Sequence, residues 1–519
     1  MPKVAGSCLG AAAVAACVAV AGCGSTVAIS GHAGAVVGGG ANGLGLPSTG
    51  QTSSAPGPTS SGGAGSAVTG GVVGAIGSAG GTGSTGNGAV ASTGGGSLEA
   101  SSTGVNAPGV TPTTINLADY YAPDASAADS ALGAGGANPG DTKAETDAVV
   151  KYINQHGGIG HRQIMINWYK ASVSSDATTT AQGMCSAWTQ DSKNLIWFSG
   201  GLPILDQCAA RYHDIQLASG TSPTLETTAT NVQYPADVDL NALTNDRAMK
   251  YTIAGLGREG YLRRGTKVGI ATWDDPNFRY GITNDALPGL AALGFRAVPV
   301  AYVTPPASYG DLGSTSASVS SAILHFRQLG IDHVILFDGG SGVAGGGILT
   351  LEWMQQAQSQ HWYPRYGLDS GSGFNALASS LPQQEMADSV GVSWQPVLDE
   401  TSSDLEAFAA HSSAAQLCQQ IMKGAGQQVS GNNSVAIQFA ICEQFFYLKR
   451  ILDPLTGPLN EGTVLSAIDG TGTSFGSIVA FHVDLNSNRH DGADEVRNMA
   501  FSAACTCYQY TGPVYAPGG

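Results

Sequence analysis

The chain has 519 residues, 74 of them glycine, and its 38 acidic and 22 basic side chains give a formal net charge of −16. No stripe of lysine and arginine is present to meet a phosphate backbone, so nucleic acid is not an expected partner, and an acidic surface of this kind serves solubility. Much of the glycine lies before residue 110, and the remainder reads as ordinary globular sequence long enough for two cores.

The first element is residues 1–22. Lys3 precedes an Ala/Val-rich apolar run from Leu9 to Val20, which Val20-Ala21-Gly22-Cys23 closes. Small residues before a cleavage point fit a signal peptidase pocket, so the segment reads as a secretory leader. With cysteine at that point it resembles the bacterial lipobox, with Val20 where leucine is usual. The resemblance implies lipidation of Cys23 and an anchor on the extracytoplasmic face of the cell membrane. No later stretch offers the roughly 18 continuous apolar residues of a membrane span.

Residues 23–109 form a tether of Gly, Ser, Thr, Ala and small aliphatics. Beyond Cys23 they contain no aromatic residue, no Lys or Arg, and one acid, Glu99. Such composition buries too little apolar surface to offset ordering, which predicts a flexible coil spanning roughly 50 Å. Cys185, Cys208, Cys418, Cys442, Cys505 and Cys507 lie beyond it, an even set that reads as disulfides in an exported protein. Several pairings are open; proximity favours 185 with 208, 418 with 442 and 505 with 507.

From residue 113, short apolar runs alternate with helical stretches. Strands are expected at 115–118, 163–169, 194–199 and 214–219, with helices at 141–156, 176–190 and 204–213 between them. The scheme repeats with strands at 267–273, 296–303, 333–337 and 365–368 and helices at 279–293, 316–329 and 347–360. A further helix is expected at 463–469 and a strand at 478–483. Alternation of this kind implies α/β architecture, with two parallel sheets side by side and a cleft at their carboxyl ends.

Tyr152-Ile153-Asn154-Gln155-His156-Gly157-Gly158-Ile159-Gly160-His161-Arg162-Gln163-Ile164 resembles a stretch of the type 1 periplasmic-binding-protein-like receptors, nearest to the leucine/isoleucine/valine-binding family. His161 stands where that family usually has glycine. Leu217-Ala218-Ser219-Gly220-Thr221-Ser222-Pro223, Val268-Gly269-Ile270-Ala271 and Phe481-His482-Val483-Asp484-Leu485-Asn486 match further segments in the same order.

The resemblance covers about 110–512 and implies two doubly wound, Rossmann-like lobes joined by a three-segment hinge. The first lobe would take about 113–243 and 371–470, the second about 244–370 and 471–512, leaving 513–519 as a tail. It also implies capture of a small polar solute, an amino acid or related compound, for the permease of an ABC importer. Some relatives are sensors instead.

Ser219 and Thr221 are the first candidates for ligand contact, since hydroxyls and backbone amides there can meet a carboxylate. Ser199 and Gly200 end the third strand. Tyr120 and Tyr121 end the first, where a ring can cover a ligand. Phe278 and Tyr280 follow the first strand of the second lobe, and Asp338 ends its third, where an acid can pair with an ammonium group. A monomer without cofactor, metal or catalytic residue is expected.

Three motifs point elsewhere. Gly340-Ser341-Gly342-Val343-Ala344-Gly345 matches the dinucleotide fingerprint, with Asp369 as a ribose acid, but export argues against a nicotinamide cofactor. Gly472-Thr473-Ser474-Phe475-Gly476 matches the nucleophile elbow of hydrolases with the strand and helix in reversed order. Asp484, Asn486, Asn488 and Glu495 fit a calcium-loop spacing, but Arg489 occupies the glycine position and a polar hairpin is expected.

Overall fold

The computed structural model describes residues 104–131, 138–199, 203–220, 226–339, 347–429 and 431–517. The leader, Cys23 and the tether up to residue 103 lie outside them.

The first sheet is built from β1 (Thr114–Tyr121), β2 (Gln163–Lys170), β3 (Ile196–Trp197), β4 (Ile215–Ala218) and β5 (Asp237–Asp239). Their order is β2-β1-β3-β4-β5, and every pairing is parallel. Parallel neighbours need crossovers, supplied here by α1 (Ala125–Ala131), α2 (Thr142–Gln155), α3 (Ala177–Ser186), α4 (Pro203–Tyr212) and α5 (Thr228–Gln233). Asp141 starts α2 by accepting from the Ala144 amide, the N-cap geometry that satisfies an otherwise orphaned donor. Trp188 and Trp197 meet at 5.3 Å between ring centres in a small separate core under α3 and α4.

The turn between α2 and β2 explains the Gly-Gly-Ile-Gly run. A side chain on Gly158, at φ +75°, would meet the Arg162 carbonyl oxygen at 1.9 Å, because Ile159 and Arg162 bridge across it. His161 itself takes a left-handed conformation, φ 62°, the backbone that makes glycine usual there. The Arg162 guanidinium then ties the turn to the carbonyls of Thr111 and Gly160.

The chain enters the second lobe through α6 (Asn245–Arg258). β6 (Val268–Trp273), α7 (Pro276–Gly281), α8 (Leu287–Ala292), β7 (Val300–Val303), α9 (Leu312–Leu329), β8 (His333–Phe337), α10 (Ile348–Ser359) and β9 (Arg365–Asp369) follow. Then come α11 (Phe374–Leu377), α12 (Gln383–Met386), β10 (Val390–Ser393) and α13 (Pro396–Asp399). β6, β8 and β10 are buried at every residue, as central strands covered on both faces must be.

α14 (Ser402–His411), α15 (Ser413–Gly424), α16 (Asn432–Leu452) and α17 (Glu461–Asp469) come next, and α15 and α16 pack on α2 of the first lobe. The last two strands, β11 (Arg497–Ser502) and β12 (Cys507–Tyr510), add an antiparallel edge, giving the order β12-β11-β10-β9-β8-β6-β7.

Three expectations change. β10 lies in the second sheet, parallel to β9, so residues from 371 through β10 belong to the second lobe rather than the first. The segment 478–483 is not a strand; Val483 at its end makes an isolated bridge to Ala493. The expected strand at 296–303 shortens to β7. Disulfides join Cys185 to Cys208, Cys418 to Cys442 and Cys505 to Cys507. Among the described residues, no helix is long and apolar enough to cross a membrane.

Candidate ligand cleft

In doubly wound sheets the carboxyl ends of the strands, with their free amides and outgoing loops, make the binding crevice. Here those ends meet across the lobes. The Gln395 side chain, just beyond β10, donates to the Gly220 carbonyl just beyond β4 at 2.6 Å. This bond brings the ends of a first-lobe and a second-lobe strand face to face.

The first-lobe rim is neutral and polar. The Ser219 hydroxyl is half-buried and accepts from the Asn241 amide at 2.6 Å. Asn241 also donates to Glu443 of α16 at 2.9 Å, and Glu443 accepts from the Ser477 hydroxyl and the Ile478 amide. One buried carboxyl thus ties together the strand end after β5, α16 and the last return crossing. Burial pushes Glu443 up to about 7 against these donors. Ser199 is buried and donates to Gln216 at 3.2 Å.

The second-lobe rim is acidic and already engaged. Asp338 is buried and accepts from the Gly339 and Thr350 amides, both at 2.8 Å. Both oxygens are therefore used on backbone, and the residue fastens the start of α10 instead of offering a free partner to an ammonium group. Desolvation raises it to about 7. Ser370 donates to the buried Asp399 at 2.5 Å and accepts from the Trp394 amide at 3.0 Å.

The aromatic candidates separate. Phe278 is 1 % exposed and packs in the main core, so it is a core residue and not a ligand contact. Its place on α7 directs it inward, while Tyr280, two residues on, is exposed. Tyr120 is exposed at the end of β1, and Tyr121 packs edge-on against Trp168 at 5.8 Å. Gly200 and Thr221, and the residues 340–345 of the dinucleotide motif, lie outside the described residues.

Sequence reasoning missed Asn241, Glu443 and Gln395. Each is a polar residue without a motif, and only the meeting of three distant segments gives it a role.

The competing motifs find other employment. The Ser474 hydroxyl donates to the Thr471 carbonyl at 2.6 Å, and Arg450 reaches Ser474 at 3.2 Å. His482 pairs instead with Asp494 at 2.6 Å, so among the described residues no base addresses the serine as an elbow nucleophile requires. In the calcium-like loop, the Arg489 guanidinium meets Asp484 at 2.7 Å and Asp494 at 3.3 Å, supplying the positive charge a cation would bring. A cavity of about 420 Å³ lies between α14 and the β11–β12 edge, lined by Asp404, Phe408, His411, Arg497 and Tyr510 among others.

Two such sheets, the reversed edge on the second and strand ends facing across a hinge define the two-lobe fold of type 1 periplasmic binding proteins. Solved structures agree. A possible leucine/isoleucine/valine-binding protein from Rhodopirellula baltica superposes with a TM-score of 0.55 at 12 % identity, covering 79 % of this chain and 98 % of that one. A branched-chain amino acid ABC transporter protein from Thermus thermophilus, with bound valine, gives 0.53 at 14 % identity, covering 78 % and 96 %. A fatty acid ABC transporter substrate-binding protein from Thermomonospora curvata gives 0.54 at 13 %, covering 79 % and 94 %. No family model and no curated protein matches the sequence.

Proposed function

We propose that the protein is an extracytoplasmic solute-binding lipoprotein, anchored through Cys23, that captures a small polar solute between its lobes and delivers it to an ABC importer. The observation that carries this reading is the Gln395–Gly220 bond, which spans the two sets of strand ends and would be made or broken as the lobes move. Similar structures are those of solute-binding proteins, one holding valine. The first-lobe rim, with Ser199, Ser219 and Asn241, suits a ligand carboxylate or amide because hydroxyl and amide groups donate without charge repulsion.

The test is a thermal-shift screen of the full chain in detergent against amino acids, amides, aromatic and fatty acids, purines and sugars. A ligand at about 100 times its Kd adds roughly 2.7 kcal/mol, a shift of several degrees. A dose-dependent shift confined to one chemical class supports capture and names the cargo class. A folded protein that shifts with none of them overturns the reading. For the anchor, Cys23→Ala should move the protein from the membrane fraction to the medium; unchanged fractionation would count against lipidation.

A further inference from the structure

Three carboxyl groups converge inside the first lobe, beside the crossing into the second, where the Glu226 carbonyl accepts from the Asn245 amide of α6 at 2.8 Å. Asp206 comes from α4, Glu226 from the segment before α5, and Asp237 opens β5. They are 1 %, 1 % and 2 % exposed. One oxygen from each lies within 4.8 Å of the others.

Buried carboxyl oxygens normally have donors. Asp237 has none at either oxygen, and Asp206 has none at Oδ2. Asp206 Oδ1 accepts from the Gln216 side chain at 2.8 Å. Gln216 is paired in register with Asp237 across β4 and β5 and accepts from Ser199 through its carbonyl oxygen. The arrangement therefore has an orienting shell on one side and bare oxygens on the other. That is the usual dress of ligating carboxylates, whose outer oxygens are fixed by hydrogen bonds.

We propose that Asp206, Glu226 and Asp237 form an all-oxygen site for a divalent cation of calcium size. Calcium takes oxygen ligands at about 2.3–2.6 Å, so opposite ligands stand roughly 4.6–5.2 Å apart, which accommodates this spread more readily than the tighter magnesium shell. The ion would join α4, the segment before α5 and β5, and fix the β5 edge of the first sheet. Through Gln216 it would also hold Ser199 in place at the rim, making Gln216 a positioning residue. The site is distinct from the Asp484 loop, where Arg489 already supplies the charge.

The competing arrangement is protonation. Burial, then the charges of Glu226, Asp206 and Asp239, push the Asp237 carboxyl well above its ordinary range, so shared protons could replace the ion. The two are told apart with the full chain after chelator treatment and dialysis at pH 7.5. Calcium at millimolar concentration should raise the melting temperature by several degrees, magnesium by less, and the untreated protein should carry close to one calcium per chain. Asp237→Asn and Glu226→Gln should each abolish the calcium response.

No response of the wild type to calcium, magnesium or manganese overturns the site. So does a calcium response that survives in both variants, which would place the ion elsewhere. An untreated protein that carries no calcium, with a melting temperature that added calcium does not move, would assign the cluster to proton sharing. If one variant does not fold, the other variant and the wild-type titration still decide.

Discussion

The two rims of the cleft differ in what they leave available. The first lobe presents hydroxyl and amide groups, Ser219 and Asn241, bonded mainly to each other and to Glu443. The second presents buried acids: Asp338 has both oxygens on backbone amides at the start of α10, while Asp399 accepts from the Ser370 hydroxyl through one oxygen. A group bonded to a neighbouring side chain can exchange partners with a ligand, whereas an acid holding backbone amides cannot leave without freeing buried donors. On the proposed solute-binding reading, the first lobe is the side suited to anchor a ligand, and the second the side suited to close over it.

The largest test of this contrast is Asp338→Ala. Two buried amides would lose their acceptor, at a cost of about 3 kcal/mol in denaturant unfolding. Ligand affinity measured on the folded fraction should change little; a selective loss of affinity would return Asp338 to the binding surface. Glu443→Ala should cost about 2 kcal/mol, because its partners sit on three segments. It should also weaken binding, since the hinge would be less well defined.

The acids also set a pH dependence. Glu443 and Asp338 are each raised to about 7 by burial, from 4.5 and 3.8. Their contribution to stability is fully present below the unfolded values and lost as pH rises through 7. The melting temperature should therefore fall between pH 5 and pH 8, and Asp338→Asn should flatten that slope. An equal slope in wild type and variant would mean that Asp338 does not titrate there.

Ser219→Ala comes next, with affinity reduced about tenfold, or 1.4 kcal/mol, and the fold destabilised by about 1 kcal/mol because the buried Asn241 amide loses an acceptor. Tyr280→Ala, on the exposed second-lobe side, should weaken binding by only about threefold, since on the proposed reading its ring would cover a ligand rather than orient it. Reversal of these last two, seen by calorimetry once a ligand is known, would exchange the roles assigned to the two rims.

Much of the architecture is legible from pattern. Ile115 and Leu117 of β1, the all-buried β6 and β8, and the Gly158 turn are local signals that burial periodicity and backbone sterics enforce. β5 was not legible, because Asp-Val-Asp carries no apolar run and becomes a strand by pairing with β4. The helix α6 was missed as well, although eight of its residues are buried. Apolar content misled at 478–483, where Ile478, Val479 and Ala480 are buried without joining a sheet.

The alternation of strand and helix, the turn at Gly158 and the class of fold follow from residues close together in the chain. Tertiary structure alone decided which lobe receives β10, that Phe278 faces the core while Tyr280 faces solvent, and that Asn241, Glu443 and Ser477 meet at the hinge. It alone gathered Asp206, Glu226 and Asp237 within reach of one another. Such meetings depend on how sheets and crossovers pack over long separations, and no local spacing encodes them.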